Sequence, residues 1–383
     1  MKEIDHNFLP SQYKSTNELP INHNYLPQQF KDSEKVIDEI RKLVVRGDFT
    51  LGEAVDELEE GFKKIANSKY AIGVGSGTDA LFLSLKALGV KEGDEVITTP
   101  YTFYATIGAI VTAGATPKFV DIGVDYNIDP NLIEDSITPN TKAIVPVHWS
   151  GLICDMNSIR NIADRHNLSI VEDACHAINA KKDGKTAGSM SDTACFSMHP
   201  LKNLNVWGDG GVIVTNNKEL HDKLVLLRNH GLRDRDICDI FAYNSRLDTL
   251  QAIVGNHYIK KIDHITDMRI KNANFYDNEL SGFPQITIPS RFASNKQVFH
   301  LYCIRVSVRD DLQKYLIDNG IDAKVHYPTP MHLQPAARDL GYSVGDFPIA
   351  ETVCNEVLSL PVHEFITQDQ MEFTVQKIKE FYS

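Results

Sequence analysis

Three segments of the sequence contain residues whose types and spacing could do chemistry together. Residues 75–80 (GSGTDA) follow a short apolar run and precede a helical pattern, so their backbone N–H groups can hold a phosphate at a helix N-terminus. Asp173 ends the apolar run that begins at Ser169, a position where a carboxylate commonly holds a metal ion or a cationic ring nitrogen. Lys202 lies in an irregular stretch between two apolar runs, where desolvation can turn a lysine into a nucleophile.

Each of these segments also fits an ordinary structural role when it is taken alone. A strand–helix turn, a capping carboxylate and an exposed loop lysine would explain them without any chemistry. Together and in this order, they meet the requirements of pyridoxal 5′-phosphate. The helix N-terminus takes the phosphate, the carboxylate keeps the pyridine nitrogen protonated, and the lysine forms the Schiff base. One strand–loop–strand excursion separates Asp173 from Lys202, which allows both to reach one cofactor.

Two competing interpretations of the same residues are weaker. Residues 73–78 (GVGSGT) end in Thr78 where a dinucleotide fingerprint needs glycine, which disfavours a nicotinamide-dependent oxidoreductase. His176, close behind Asp173, could be a metal ligand, a polar core residue or a contact to a ring edge. No second cluster of His, Asp or Glu lies near it in the sequence, so we expect no metal site.

The elements that must position these residues alternate along the chain. From about residue 70, short apolar runs alternate with helical stretches, which predicts βαβ units and an α/β fold with a mostly parallel sheet. The last part of the chain has a different, α+β pattern, with predicted strands at 297–306 and 323–327. Near the N-terminus, an apolar stripe predicts a helix through Val36, Leu43 and Val44. We predict an N-terminal arm (1–32), a large cofactor-binding domain (33–265) and a small C-terminal domain (266–383).

Composition argues against several classes of protein. The 383 residues include 39 Lys and Arg against 51 Asp and Glu, and the net charge of −12 argues against a nucleic-acid partner. No apolar run approaches the roughly 18 residues that a membrane helix needs, and residues 1–6 lack the apolar segment of a secretory signal. The six cysteines are scattered, as expected of reduced thiols. We therefore expect a cytoplasmic enzyme that binds neither nucleic acid nor a membrane.

Six motifs of the chain resemble those of the DegT/StrS-type sugar aminotransferases, a fold-type I family that uses pyridoxal phosphate. The resemblance extends from about Phe49 to the C-terminus. The motifs are residues 76–81 (SGTDAL), 172–174 (EDA), 196–203 (FSMHPLKN), 208–211 (GDGG), 243–248 (YNSRLD) and 325–328 (VHYP). The resemblance implies a large domain with a mostly parallel seven-stranded sheet between helices, followed by a small α+β domain.

The resemblance also assigns roles to single residues. Lys202 resembles the Schiff-base lysine and the general acid/base, and Asp173 resembles the partner of the pyridinium. Phe103 would stack on the cofactor ring, and His176 stands where many members have Gln and can hydrogen-bond the ring hydroxyl. The expected phosphate-binding residues are Gly77, Thr78, Ser197 and, from the neighbouring subunit, Asn244. A homodimer with two shared active sites follows from the resemblance.

The substrate-facing residues are less well defined. His326, Tyr327 and His332 lie in a segment that resembles the family's substrate-facing loop, and Tyr25 in the N-terminal arm is a further candidate. For each of these side chains, simple packing explains the sequence equally well. We expect transfer of an amino group from L-glutamate to a nucleotide-linked keto-deoxysugar, with amination at C3 of a 3-keto-6-deoxyhexose.

Three alternatives to this function remain open. The first is amination at C4 of a 4-keto sugar, and the second is a pyridoxal-phosphate-dependent sugar dehydratase. Some relatives that dehydrate deoxysugars have His in place of the lysine, so Lys202 argues against that chemistry. The third is a regulator that binds the cofactor without turnover. Such proteins usually carry a DNA-binding domain, which the acidic chain shows no sign of.

Overall fold

The computed structural model describes residues 19–383 except Asn24 and Asp32, so most of the predicted N-terminal arm lies outside the described residues. The helices are α1 (Leu26–Phe30), α2 (Glu34–Arg46), α3 (Glu53–Ala66), α4 (Gly77–Ala87), α5 (Tyr104–Thr112), α6 (Met156–His166), α7 (Lys218–Arg228), α8 (Thr249–Ile259), α9 (Ile262–Leu280), α10 (Arg309–Asp318), α11 (Pro348–Glu356) and α12 (Gln368–Phe381). The strands are β1 (Tyr70–Val74), β2 (Glu95–Thr98), β3 (Thr116–Phe119), β4 (Thr141–Ile144), β5 (Ser169–Asp173), β6 (Lys181–Lys182), β7 (Lys185–Thr186), β8 (Thr193–Ser197), β9 (Gly211–Thr215), β10 (Ile286–Thr287), β11 (Asn295–Lys296), β12 (Tyr302–Val306) and β13 (Val357–Leu360).

A seven-stranded sheet in the order β1-β9-β8-β5-β4-β2-β3 forms the centre of the molecule. The pairs from β8 through β5, β4 and β2 to β3 are parallel, whereas β9 runs antiparallel to both β1 and β8. This arrangement confirms the predicted α/β fold with its mostly parallel sheet.

Apolar side chains cover both faces of this sheet. Along β9, Val212 and Val214 belong to one buried cluster, whereas Ile213 between them belongs to another. Successive side chains of a strand point to opposite faces, so the two clusters lie on opposite sides of the sheet. Burial on both faces explains why the strands appear in the sequence as unbroken apolar runs rather than as alternating ones.

The carboxyl ends of three strands meet at one edge of the sheet. Because β9 is antiparallel to both of its neighbours, β1 runs in the same direction as β8 and β5. The residues that follow β1, Asp173 at the end of β5 and Ser197 at the end of β8 therefore share an edge, where ligands bind in open α/β sheets.

The C-terminal part of the chain has its own buried cluster around the antiparallel sheet β10-β12-β13. Ile21 belongs to this cluster and pairs in parallel with Ile321. The predicted strand at 323–327 is wrong, because Lys324 forms only an isolated bridge with Ser359. The chain then turns away, and the carbonyl of His326 accepts a hydrogen bond from the Tyr101 hydroxyl at 2.6 Å.

The first long helix, α2, is buried less extensively than its apolar stripe predicts. Val36 and Leu43 are buried, but Val44 is 60% exposed, so its assignment to the buried face is wrong. Gly47 ends this helix in the left-handed conformation (φ 73°) and donates its N–H to Leu43, the role for which glycine is suited. No described helix combines the length and apolarity needed to cross a bilayer.

Candidate active site

Asp173 is held in one orientation at the carboxyl edge of the sheet. It is 5% exposed, and its Oδ2 accepts a hydrogen bond from the Thr106 hydroxyl at 2.8 Å. The Thr106 hydroxyl also lies 2.7 Å from that of Thr102, and the backbone N–H of Cys175 donates to Oδ1 of Asp173 at 3.2 Å. Thr106 was not predicted as a site residue, although it lies in the first turn of α5, a helix that starts at the same edge of the sheet.

A buried contact between His148 and Glu172, which the sequence does not reveal, lies next to Asp173 in the fold. The Nε2 of His148 lies 2.8 Å from the Glu172 carboxylate, and both side chains are fully buried. Glu172 also accepts hydrogen bonds from the Gly188 N–H and the Ser191 hydroxyl. Burial raises the pKa of Glu172, but the hydrogen bonds from His148 and the others outweigh it, so the pKa lies below its ordinary value. The backbone N–H of His148 donates to the Asp173 carbonyl, which ties the pair to the site.

Lys202 lies beside Asp173, in the irregular loop between β8 and β9. Its backbone N–H donates to the His199 carbonyl at 2.8 Å, and its own carbonyl accepts from the Tyr25 hydroxyl at 2.9 Å. Burial lowers the pKa of Lys202 below its ordinary value, although the Cys175 thiol and the Asp173 carboxylate oppose this effect. A larger share of this amine is therefore uncharged than in an exposed lysine, next to a fixed carboxylate.

The N-terminal turn of α4, here called the cradle, packs so closely against the end of β8 that a side chain at Gly77 would not fit. The Ser76 hydroxyl caps the helix by accepting from the Asp79 N–H, and Gly77 and Thr78 are its first residues. A Cβ atom on Gly77 would lie 2.6 Å from the Ser197 Cβ and 3.1 Å from the Cys175 sulfur. Glycine therefore allows α4 and β8 to approach closely, and Gly77, Thr78 and Ser197 come together at a helix N-terminus suited to an anion.

Aromatic side chains form the walls of the site. Phe103 is 47% exposed and lies 5.7 Å, between ring centroids, from Tyr327, which also contacts Trp149. His176 is buried, with its ring 4.3 Å from that of His300, and its Nδ1 has no hydrogen-bond partner among the described residues. Burial, followed by the charge of Lys202, lowers the pKa of His176 well below its ordinary value, so the ring is neutral near pH 7.

Only one of the two histidines from the predicted substrate segment reaches the site. The Nδ1 of His326 lies 2.9 Å from the Ser359 hydroxyl, and burial followed by the nearby Lys324 and Lys202 charges lowers its pKa to about 4. His332 is buried against the rings of Phe119 and Phe347, with Nε2 3.1 Å from Glu351. The structure therefore gives His332 a packing position rather than one facing Lys202.

Tyr25 and Asn244 also take positions that the sequence did not specify. Tyr25 is 3% exposed, and its hydroxyl is used in the hydrogen bond to Lys202, so it lies behind the lysine. Asn244 is exposed on a loop and forms a backbone bridge with Asn229. Within this chain, the structure brings nine of the predicted residues together near the carboxyl edge of the sheet: Gly77, Thr78, Phe103, Asp173, His176, Ser197, Lys202, His326 and Tyr327.

These residues fit pyridoxal phosphate on structural grounds. The absence of a side chain at Gly77 brings Ser197 against the N-terminus of α4, where backbone N–H groups can bind a phosphate. The buried Nδ1 of His176 lacks a partner among the described residues. The Asp173 carboxylate and the Lys202 amine are close enough for each other's charge to matter. An anion, a cationic ring nitrogen and an aldehyde would each find a complementary group here.

Curated relatives cover almost the whole chain. A "Pleiotropic regulatory protein" of Geobacillus stearothermophilus is 42% identical over 91% of this chain and 94% of the relative. A dTDP-3-amino-3,4,6-trideoxy-α-D-glucose transaminase of Streptomyces venezuelae is 38% identical, covering 89% and 90%. A UDP-N-acetyl-3-dehydro-α-D-glucosamine 3-aminotransferase of Acidithiobacillus ferrooxidans is 38% identical, covering 88% and 91%.

Solved structures agree with these relatives. DesV of S. venezuelae, in complex with a ketimine intermediate, superimposes with a TM-score of 0.92 at 36% identity, over 94% of this chain and 98% of that one. NtdA of Bacillus subtilis, with bound cofactor PMP, has a TM-score of 0.85 at 32% identity, covering 91% and 82%.

A family model, that of the DegT/DnrJ/EryC1/StrS aminotransferases, matches residues 31–379. Pyridoxal phosphate is the cofactor of this fold, and the pyridoxamine form is bound in NtdA. The chain therefore belongs to the DegT/DnrJ/EryC1/StrS aminotransferase family and is a sugar aminotransferase.

Proposed function

We propose that this enzyme transfers an amino group from L-glutamate to C3 of a nucleotide-linked 3-keto-6-deoxyhexose. The observation that carries the proposal is the half-buried Lys202 beside the fixed carboxylate of Asp173, in a chain of this family. The names of relatives from S. venezuelae and A. ferrooxidans, both 3-amino-sugar transaminases, support C3 over C4.

Lys202 and Asp173 divide the work at the cofactor. Pyridoxal phosphate, when bound, accepts the amino group and acts as an electron sink. Asp173, held by Thr106 and the Cys175 N–H, supplies a negative charge for the ring nitrogen. Lys202 is poised to accept and return a proton at its Nζ atom, because its lowered pKa leaves a larger share of the amine uncharged.

The remaining residues of the site bind and orient. Gly77, Thr78 and Ser197 would hold the phosphate, and Phe103 would cover one face of the ring. His176 would contact the ring hydroxyl through its buried edge. His326 and Tyr327 are the two substrate candidates that face this space.

We also propose a homodimer in which Asn244 completes the phosphate site of the neighbouring subunit. Asn244 is exposed, and nearby Phe241 is completely exposed (102%) on the same loop. A large apolar side chain at full exposure favours a contact with another protein surface. The two-fold symmetry of most homodimers would give both active sites the same contribution.

Incubation of the purified enzyme with L-glutamate and a panel of dTDP-, UDP- and GDP-linked ketosugars tests the function, with products identified by mass spectrometry. We expect one 3-amino product, and Lys202→Ala should lower turnover at least about 1,000-fold because nucleophile and proton carrier are lost together. Lys181→Ala, which removes an exposed lysine, is the matched control.

Each alternative has its own outcome in this experiment. A 4-amino product would show that the amino group is added at C4 rather than at C3. Loss of water from the sugar without amine transfer would indicate a dehydratase. A regulator without turnover would bind the cofactor but show no change in its absorbance with glutamate. That result matters because the relative from G. stearothermophilus carries a regulatory name.

A further inference from the structure

The described residues from 19 to 30, which exclude Asn24, connect the C-terminal part of the chain to the loop that carries Lys202. At one end, Ile21 pairs with Ile321, and the backbone N–H of His23 donates to the Asp322 carboxylate at 3.2 Å. The Nε2 of His363 also contacts the Asn22 carbonyl at 2.9 Å. This end of the segment is therefore attached to the part of the molecule that follows α9.

The other end of the segment is bonded to the Lys202 loop. The Tyr25 hydroxyl donates to the Lys202 carbonyl at 2.9 Å. One turn further along α1, the Gln29 side chain accepts from the Asn205 amide at 2.9 Å, and Asn205 also donates to the Pro200 carbonyl at 2.7 Å. Both sides of Lys202 in the sequence are thus restrained, and two of these restraints come from α1 and the residue before it.

The Tyr25 ring has little freedom to move. The Arg269 guanidinium lies 5.1 Å from its centroid, and the His363 ring stacks at 5.2 Å. Arg269 is itself buried opposite Glu364, with side-chain exposures of 2% and 4%. Burial raises the pKa of Tyr25, so the hydroxyl keeps its proton and remains a donor.

The Lys202 loop needs such a contact because it lies outside helices and strands. Within the loop, the Lys202 N–H bonds to His199, three residues earlier, which forms a local turn. The direction of the lysine side chain depends on the backbone on both sides of its Cα atom. A fixed carbonyl therefore restrains the backbone at Lys202 and the direction in which its Cα–Cβ bond leaves the chain.

We propose that Tyr25 is a positioning residue, which sets the direction of the Lys202 side chain through its hydrogen bond to the Lys202 carbonyl. This replaces its expected contact with the substrate, since its hydroxyl is already used. The proposal depends on cofactor binding, which the family shares, and does not depend on the sugar or the amino donor proposed above.

The variant Tyr25→Phe tests the proposal, since it removes the hydroxyl and keeps the ring between Arg269 and His363. The matched control is Tyr276→Phe, a buried tyrosine of the C-terminal cluster. The first readout is the pH dependence of the bound cofactor's absorbance, which reports the protonation equilibrium at Lys202. The second is the split between kcat and KM for the amino donor, and the third is the unfolding temperature.

We expect Tyr25→Phe to shift the apparent pKa of that absorbance and to lower kcat between about 10- and 100-fold, with KM changed less than about twofold. Tyr276→Phe should leave the absorbance titration and kcat at wild-type values. All spectra are taken well below the unfolding temperatures of both variants.

Two results would overturn the proposal. The first is an unchanged absorbance titration and kcat in Tyr25→Phe, whether or not its unfolding temperature falls, because a purely structural hydroxyl would affect stability alone. The second is a change in KM without a change in kcat, which would return Tyr25 to the substrate pocket. Failure of the wild-type enzyme to accept any sugar would contradict the proposed function and leave the titration result standing.

Discussion

Single residues of the active site owe their chemistry to what surrounds them. Lys202 differs from other lysines of the chain through its surroundings. Its pKa is lowered because burial disfavours the charged form more than Asp173 and Cys175 favour it. Asp173 in turn keeps its orientation because Thr106 and a backbone N–H hold its two oxygens. At Gly77, the decisive property is the absence of a side chain.

Gly77→Ala should weaken binding of pyridoxal phosphate at least about 10-fold while leaving the protein folded. The added Cβ would lie 2.6 Å from the Ser197 Cβ, so α4 and β8 must separate at the cradle. Binding is measured by titrating the apoprotein with the cofactor and following absorbance.

The matched control for this change is Gly108→Ala in α5, where a Cβ would meet nothing within 4 Å. It should bind the cofactor as tightly as the wild type. Equal affinity in Gly77→Ala and Gly108→Ala would show that the cradle does not hold the phosphate.

At the scale of elements, the loop between α7 and α8 is bonded at one end to the start of α4 and is exposed further out, around Phe241. At its base, the Gly75 N–H donates to the Ser245 carbonyl, and the Ser245 hydroxyl donates to Asp79 in α4 at 2.8 Å. Further out, Leu232 pairs with Cys238, and Phe241 is fully exposed. A loop with a fixed base and an apolar tip is suited to contact a second subunit.

Co-expression of Lys202→Ala with Asn244→Asp should restore activity that neither variant has alone. If Asn244 serves the neighbouring subunit, a mixed dimer contains one site with both native residues. With random pairing about half of the dimers are mixed, and each has one intact site of two, so the mixture should have about a quarter of the wild-type activity. Differently tagged chains allow the mixed dimer to be purified and assayed.

The same experiment reveals whether Asn244 acts within its own subunit. In that case each site of the mixed dimer carries one damaged residue, and activity stays at the level of the single variants. A mixture of wild type and Lys202→Ala, which should retain about half of the activity per dimer, is the control.

At the scale of the whole molecule, neutral histidines lie buried or half-buried around Lys202 and between the N-terminal segment and the C-terminal part of the chain. Burial is the largest cause that lowers the pKa of each histidine, and neighbouring positive charges lower it further. These residues are His23, His176, His300, His326 and His363. Protonation of any of them would place a cation beside Lys202, Lys324 or Arg269.

The free energy of unfolding should therefore fall as the pH decreases from about 6.5 toward 4. For His363, burial and Arg269 lower the folded-state pKa to about 4, against an ordinary value of 6.5, although a hydrogen bond to Asn22 opposes them. Between these values the unfolded chain binds a proton that the folded protein does not, so stability rises with pH in this window. Urea unfolding at several pH values measures the slope.

His363→Gln should make this slope shallower by up to about 1.4 kcal/mol per pH unit, the contribution of one proton. His264→Gln, which removes an exposed imidazole, is the control and should keep the wild-type slope. A slope that is the same in His363→Gln and the wild type would show that His363 does not contribute to the pH dependence.

Local patterns explain how much of the fold was predictable. The strands of the central sheet are buried on both faces and appear as apolar runs, so β1, β5 and β9 were readable in the sequence. Val44 and residues 323–327 were misjudged because periodicity does not reveal which neighbours are present to cover a face or extend a sheet. Thr106 and His148 were not predicted as site residues, because only the folded chain places them next to Asp173.

The sequence by itself determined the chemistry, because the glycine-rich turn, Asp173 and Lys202 follow strands, and parallel strands present their carboxyl ends at one edge. Only the tertiary structure decided which side chains serve that chemistry. It packed His332 against Phe119 and Phe347, placed the Tyr25 hydroxyl on the Lys202 carbonyl and buried Glu172 against His148. The physical reason is that hydrogen bonds and burial between distant segments depend on packing in three dimensions, which residue type and spacing do not encode locally.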